Sequence, residues 1–343
     1  MKPREVIQRA IEFDKPNRIG YDFKYGHYTD FRGLDMKRNM RPELEWQKPE
    51  FFADKFPGYS NFDGFLRLDE FGNLWGKMSH DLTGGGEVLK GVLSDWDKVD
   101  DIVFPDWANP ANFEHLPELK EKQKDYWQTG WLWGFPFSLM RKMRKMENFL
   151  MDVIIEQENV LKLNEKVVDL LLGVIDNYGQ IGADSIFFCE DWGLQDRLLI
   201  NPELWRELFK PSFKVLCDRA RKYDMKVIMH SCGYIFDILD DLIEVGIDVL
   251  QLDQPELMGI ERVAEVINGR ATLFAQTDIQ KILPTGNRQL IEERTENMVR
   301  LFHKNGGFIA RDYGDYRTIQ VKQEWAQWMR CKFFEVGGLP EQI

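Results

Sequence analysis

Lys226-Val227-Ile228-Met229-His230-Ser231-Cys232-Gly233 is the stretch on which the reading of this chain turns. Its first four residues form a short, mainly apolar run that reads as a buried strand, and the glycine closes it. His230 and Cys232 therefore sit where a strand hands over to a loop. Side chains alternate along extended backbone, so residues two apart point the same way. An imidazole and a thiol converging at a strand end can bind zinc, which holds the sulfur as a thiolate at neutral pH. Packing and hydrogen bonding alone are the other reading of the pair.

Outward from this stretch the same pattern recurs. Short apolar runs at 131–135, 185–189, 248–252, 271–275 and 307–310 are each followed by a helical pattern. Asn201-Pro202-Glu203 is a helix start, with Asn as cap and Pro at the first position. Leu204, Leu208, Val215 and Leu216 follow at core-facing intervals, and Pro211 is expected to kink or divide that helix. Further helices are read at 235–245, closed by Gly246, and at 260–267, stopped by Asn268-Gly269. Two more are read at 288–304 and near 320–334. Serial strand–helix units predict a parallel sheet. Six of them are too many for a small open sheet. The expected fold is α/β, a (β/α)8 TIM-type barrel with an N-terminal elaboration. One domain over 1–343 is expected, with 1–125 supplying the elaboration and the first strands (Ile19–Phe23 is one) and 126–343 the regular units. Residues 68–76 read as a hairpin with Gly72-Asn73 at its tip.

Composition narrows the function. The 343 residues are 43% hydrophobic and 30% charged, with a formal net charge of -12, which disfavours nucleic-acid and anionic-membrane binding. The basic run Arg141-Lys142-Met143-Arg144-Lys145 reads as a solvated helix face. No apolar run approaches the roughly 18–20 residues that span a bilayer, and the N-terminus lacks the apolar core of a signal peptide. Cys189, Cys217, Cys232 and Cys331 show no framework spacing, so a reducing cytoplasm is expected. Tyr126–Phe137 is rich in aromatics, either packing in the core or walling a pocket for a flat or apolar substrate.

In a βα barrel, reactive groups occupy the C-terminal ends of the strands. Those positions hold Glu190 and Asp191, His230 and Cys232, Asp253 and Gln254, Gln276 and Asp278, then Arg311, Asp312 and Asp315. For any one carboxylate the helix-cap or solvated reading is the favoured one. Five loops carrying such groups suggest a site that binds a cation, or positions a polar substrate and tunes acid–base chemistry.

Several segments resemble the uroporphyrinogen decarboxylase superfamily. Pro3–Ala10 followed by Lys15-Pro16-Asn17-Arg18-Ile19 is similar to its opening helix and first strand. Asp69-Glu70-Phe71-Gly72, Glu190-Asp191-Trp192-Gly193 with Leu199–Trp205, and His230-Ser231-Cys232-Gly233 follow in the family's order. The resemblance covers nearly the whole chain. It implies one of two chemistries: decarboxylation of a tetrapyrrole's acetate arms, or methyl transfer involving the cobalt of a corrinoid protein, often with zinc. The chain departs from both patterns. Met36-Lys37-Arg38-Asn39-Met40-Arg41 only faintly echoes the decarboxylases' substrate-holding arginines. The methyltransferases' later cysteine is absent from Arg311-Asp312-Tyr313-Gly314-Asp315.

One Cys, one His and a carboxylate make a harder site than two sulfurs, suited to zinc as a Lewis acid on oxygen or nitrogen. The expected function is transfer of a methyl group from a small methyl ether or methylamine, aromatic or otherwise apolar, to a separate corrinoid protein carrying the cobalamin. Glu190, Asp191 and His230 are the expected catalytic groups. His230, Cys232 and Glu190 are the expected zinc ligands. Trp131, Trp133, Asp253, Gln276, Asp278, Arg311 and Tyr313 are expected to contact substrate. A decarboxylase or lyase acting on a carboxylated substrate is the alternative, and a small-molecule sensor on the same barrel is a third reading.

Overall fold

A computed structural model of the chain describes residues 1–23, 28–78 and 85–340. The strands are β1 Gly20–Phe23, β2 Tyr28–Thr29, β3 Phe31–Leu34, β4 Phe65–Leu68, β5 Leu74–Lys77, β6 Glu87–Lys90, β7 Trp127–Trp131, β8 Ser185–Cys189, β9 Lys226–Ser231, β10 Val249–Leu252, β11 Thr272–Ala275 and β12 Phe308–Arg311. The chain divides into two compact units: Met1–Met36, Phe113–Gly134 and Ile175–Ile343 form one, and Lys37–Asn112 with Phe135–Val174 form the other.

The first unit is the barrel. Its sheet runs β2-β1-β12-β11-β10-β9-β8-β7-β3, and every pairing in it is parallel except β1 with β2. One residue brings the β1 and β3 edges together. Asp30 donates its N–H to the Tyr21 carbonyl at 2.8 Å, accepts the Trp127 N–H at 2.9 Å, and takes the Tyr21 N–H on its carboxylate at 2.8 Å. Arg18 neutralises that buried carboxylate at 2.6 Å. The barrel floor is plugged by the helix Pro3–Glu12, whose Ile7, Ala10 and Ile11 pack on Trp127, Ile228, Val249, Phe274 and Ile309. Gly20 faces this plug, where a Cβ would collide with Ile7.

Local chemistry explains most boundaries. Asn201 caps the helix Pro202–Leu208 by accepting the Glu203 N–H at 2.8 Å. Pro211 does divide the helical stretch, because Lys210–Arg221 begins afresh there. The seventh strand departs from the sequence reading of 131–135: it occupies Trp127–Trp131, and Pro136 opens a helix, so 132–135 is the exit loop. No helix among the described residues is long and apolar enough to cross a membrane.

The second unit holds the antiparallel sheet β4-β5-β6 over Leu44, Phe52, Leu66, Leu68 and Leu74. Its β4–β5 hairpin turns through 69–73, a longer tip than Gly72-Asn73 alone. The Asp69 carboxylate gathers the N–H groups of Phe71, Asn73 and the Trp75 ring, and Gly72 takes φ +92°. In the basic run, Arg144 is not solvated. It is buried, chelates Asp152 at 2.7 Å and donates to the Leu93 carbonyl at 2.9 Å. A buried guanidinium needs such partners.

Candidate functional site

The site grows from alternation along β8 and β9. On β8, Ile186 and Phe188 are fully buried, Phe188 against Phe213 of the helix behind it with ring centroids 6.1 Å apart. Phe187 borders the cavity inside the barrel. Continuing that period assigns Cys189 and Asp191 to the lumen side, and Glu190 and Trp192 to the helix side. Trp192 packs on Phe209 and Trp205 accordingly. Glu190 is wholly buried. The carboxylate that meets His230 and Cys232 is therefore Asp191, and Glu190 is not part of the cluster.

The cluster is tight. Cys232 Sγ lies 3.3 Å from His230 Nε2, Asp191 Oδ1 lies 3.5 Å from the same nitrogen, and one ligand atom from each residue falls within 4.8 Å of the others. The Cys232 N–H donates to Asp191 Oδ1 at 2.9 Å, holding the carboxylate over the strand end. Gln254 accepts the Gly233 N–H at 2.8 Å. Gly233, at φ +76°, lies so close to Gly193 that a side chain there would clash with its backbone.

A hydrogen-bond relay sets the imidazole's tautomer. Gln251 Nε2 donates to Asp253 Oδ1 at 2.9 Å, and a carboxylate only accepts. The Gln251 amide oxygen must then face His230 Nδ1, 2.6 Å away. Nδ1 therefore carries the proton, and the Nε2 lone pair is aimed at Sγ and Asp191. Asp253 is itself anchored by Arg311 Nη1 at 3.1 Å and by Gln276 Nε2 at 3.3 Å. Gln251 was not singled out from the sequence. The signal available was a polar residue inside the apolar run 248–252.

These residues fit zinc. Zn–S and Zn–N bonds of about 2.3 and 2.0 Å put tetrahedral ligand atoms roughly 3.5 Å apart, close to the spacings found. Burial, then the charges of Asp191 and Asp253, push the Cys232 thiol far above its usual pKa, and a bound cation would act in the opposite direction, favouring the thiolate. Three protein donors leave a position open for substrate. Burial, then Asp253 and Cys232, likewise raise the Tyr313 phenol, which keeps its proton.

The other sequence-selected residues separate by use. Asp278 spends Oδ1 on the backbone N–H groups of Gln280, Lys281 and Ile282. Asp312 is fully buried, paired with Arg330 at 2.9 Å and accepting the Tyr316 hydroxyl at 2.9 Å. Asp315 pairs with Arg317. Trp131 and Trp133 are 36% and 38% exposed, with centroids 6.3 Å apart, so they offer ring surface at the end of β7.

Inside the barrel lies a cavity of about 270 Å³ bordered by Asp22, Phe31, Trp131, Phe187, Gln251 and Phe274. Phe31 and Phe274 stack at 5.4 Å, and Trp131 meets Phe187 at 4.5 Å. A larger recess of about 580 Å³ holds Arg4, Asp184, Lys226 and Asp248. These lie at the N-terminal strand ends, where Arg4 is already paired with Asp184 at 2.6 Å. In barrels of this kind that face reads as stability and the C-terminal face as chemistry.

Comparison with known proteins bears on this geometry. The family model "Uroporphyrinogen decarboxylase (URO-D)" matches residues 87–311. No curated protein matches the chain. Among solved structures, a methyltransferase from Methanosarcina mazei superposes with a TM-score of 0.67 at 14% identity, covering 98% of this chain and 99% of that one. A D-psicose 3-epimerase gives 0.41 at 8% identity, covering 71% and 87%. A 3-keto-D-glucoside 4-epimerase from E. coli gives 0.38 at 11%, covering 88% and 100%. The last two scores are too low to bear on function.

Proposed function

The chain belongs to the uroporphyrinogen decarboxylase family, and from that premise we propose that it transfers a methyl group from a small methyl ether or methylamine to the cobalt of a separate corrinoid protein. The observation that carries this reading is the Asp191–His230–Cys232 cluster at the C-terminal ends of β8 and β9. The near full-length fold likeness to a methyltransferase agrees with it. In this reaction the partner's corrinoid would be the methyl acceptor and would supply the nucleophile toward the methyl carbon. The carbon–heteroatom bond breaks, and its electron pair stays on the departing oxygen or nitrogen, which must be stabilised there. Zinc, when bound by the cluster, would supply a Lewis acid at that atom.

The chain's own residues prepare the site. Gln251 holds the His230 proton on Nδ1 and keeps Nε2 free as a donor. Asp253 fixes Gln251 and is in turn fixed by Arg311. Tyr313 keeps its phenol proton, held there by burial and by the charges of Asp253 and Cys232. Glu190 falls outside this scheme, and Asp191 takes the role of third ligand.

The test is anaerobic. Enzyme, reduced corrinoid protein and a panel of ethers and amines are mixed, and methylation of the corrinoid is followed by absorbance. Methylation dependent on the enzyme and one donor class is expected. CO2 release from a carboxylated substrate, with no donor consumed, would move the protein to the decarboxylases.

A further inference from the structure

We propose that the cavity inside the barrel is a subsite for an organic ammonium group, held between the Asp22 carboxylate and the rings of Phe31, Phe187 and Trp131. This deepens the methyl-transfer reading and rests on it for the fate of the substrate's other end: the methyl donor carries a cationic, non-reacting head.

The argument is one of charge accounting. Asp22 sits opposite Arg311 in the β1–β12 register, where an ion pair would be natural. Arg311 is committed elsewhere. Its Nη1 reaches Asp253 at 3.1 Å, its Nε donates to the Asp312 carbonyl at 3.0 Å, and its guanidinium lies 5.6 Å from the Phe274 centroid. Asp22 accepts the Thr29 hydroxyl at 2.8 Å, and among the described residues it has no cationic partner. Arg32 also borders the cavity. Its guanidinium, however, lies over the Tyr126 ring at 3.8 Å and donates to the Phe31 carbonyl at 2.8 Å, and strand alternation sets it on the face opposite Phe31. Arg311 is thus paired with Asp253 and Arg32 is turned onto Tyr126, which leaves Asp22 as a lumen carboxylate without an ion pair among the described residues.

That carboxylate lies in an aromatic recess. Ring faces attract cations through their quadrupoles, most strongly when the cation is poorly hydrated, and organic ammonium groups meet that condition. A small metal ion would find one carboxylate and no further strong donors on the rings. The volume of about 270 Å³ falls below the roughly 300 Å³ at which drug-sized sites begin, so it suits a head of a few carbons. Gln251 borders the cavity and also holds His230. One side chain thus separates the cationic head from the Asp191–His230–Cys232 cluster, where the other end of the molecule would react.

The experiment is equilibrium binding by calorimetry and tryptophan fluorescence, with tetramethylammonium, choline and the neutral isostere 3,3-dimethylbutan-1-ol as probes. Choline is expected to bind at least about tenfold more tightly than the alcohol. Asp22→Asn should remove most of that preference while leaving the alcohol's affinity unchanged, which also reports an intact cavity. Trp131→Leu, which keeps an apolar wall but removes the ring face, should weaken choline more than the alcohol. Equal binding of choline and the alcohol, no binding of choline, or a choline affinity indifferent to both variants would overturn the subsite. The methyl-transfer reading fails separately. Ammonium binding with no donor ever demethylated would remove that reading alone, and transfer from a neutral donor without any ammonium preference would remove only the subsite.

Discussion

The β8–β9 end and the β11–β12 end of the barrel carry similar side chains and use them oppositely. At the first, Cys232 Sγ and Asp191 Oδ1 lie 3.3 and 3.5 Å from His230 Nε2. At the second, Asp278 and Asp312 are consumed by the fold. Asp278 ties a loop through three backbone N–H groups, and Asp312 pairs with Arg330 at side-chain exposures of 0% and 3%. A carboxylate at a strand end therefore says little by its type. What decides its use is the face on which alternation leaves it, and whether local donors already saturate it.

The largest effect that tests this contrast is at His230. His230→Ala removes one of three donors, so zinc occupancy and methyl transfer should both fall to background. The same preparation should still unfold cooperatively, near the midpoint of metal-free wild type. Metal analysis beside the corrinoid absorbance assay decides it. Wild-type protein prepared without chelators that proves metal-free yet fully active would end the zinc role.

Asp312 should give the reverse profile. Asp312→Ala leaves Arg330 buried without its counter-ion, which typically costs about 3–5 kcal/mol. Urea titration should show the loss, while the remaining folded fraction binds zinc normally. A variant of unchanged stability that loses zinc would erase the distinction between the two ends.

Between these lies Gln251, which touches no metal donor atom itself and only orients one. Gln251→Leu frees the imidazole's tautomer and should weaken zinc about 10–100-fold, as outer-shell partners of metal-bound histidines do. Gln251→Glu still accepts the Nδ1 proton but sets a second carboxylate against Asp253, 2.9 Å from the present Nε2, so it should restore affinity only in part. Equal zinc affinity in wild type and Gln251→Leu would rule out the orienting role.

Much of the barrel was legible because its information is local. Ser185–Cys189, Val249–Leu252 and Ile260–Ile267 are short apolar runs or amphipathic turns bounded by Gly, Asn or Pro, and His230 with Cys232 is a two-residue spacing. Other parts depend on contacts distant in sequence. Trp127–Trp131 reads as polar because it holds Gln128 and Thr129, and what fixes it as a strand lies 56 residues away, where Asp184 takes the Gln128 N–H and Ser185 meets the Thr129 hydroxyl. Phe31–Leu34, with an arginine and a glycine, gives no apolar run and becomes a strand beside β7. The second compact unit is assembled from 37–112 and 135–174, so no single linker announces it. Glu190 and Asp191 are neighbours at one strand end, and the choice between them depends on a register that composition does not carry.

The smallest effect concerns Asp278, a residue that the sequence offers as a substrate contact. Its Oδ1 is occupied by the backbone of 280–282, and its Oδ2 is buried without a hydrogen-bond partner. Removing a side chain that caps a turn in this way costs about 0.5–2 kcal/mol. Asp278→Ala should therefore lower stability by that amount. Asp278→Asn should cost less, because the amide oxygen can keep the backbone bonds and no charge is left in a buried position. Neither change should alter KM for the methyl donor by more than about twofold, since no donor of the Asp191–His230–Cys232 relay passes through Asp278. Steady-state kinetics beside thermal unfolding separates the outcomes. A KM raised tenfold at unchanged stability would make Asp278 a substrate ligand, and the β11 end would then resemble the β8–β9 end after all.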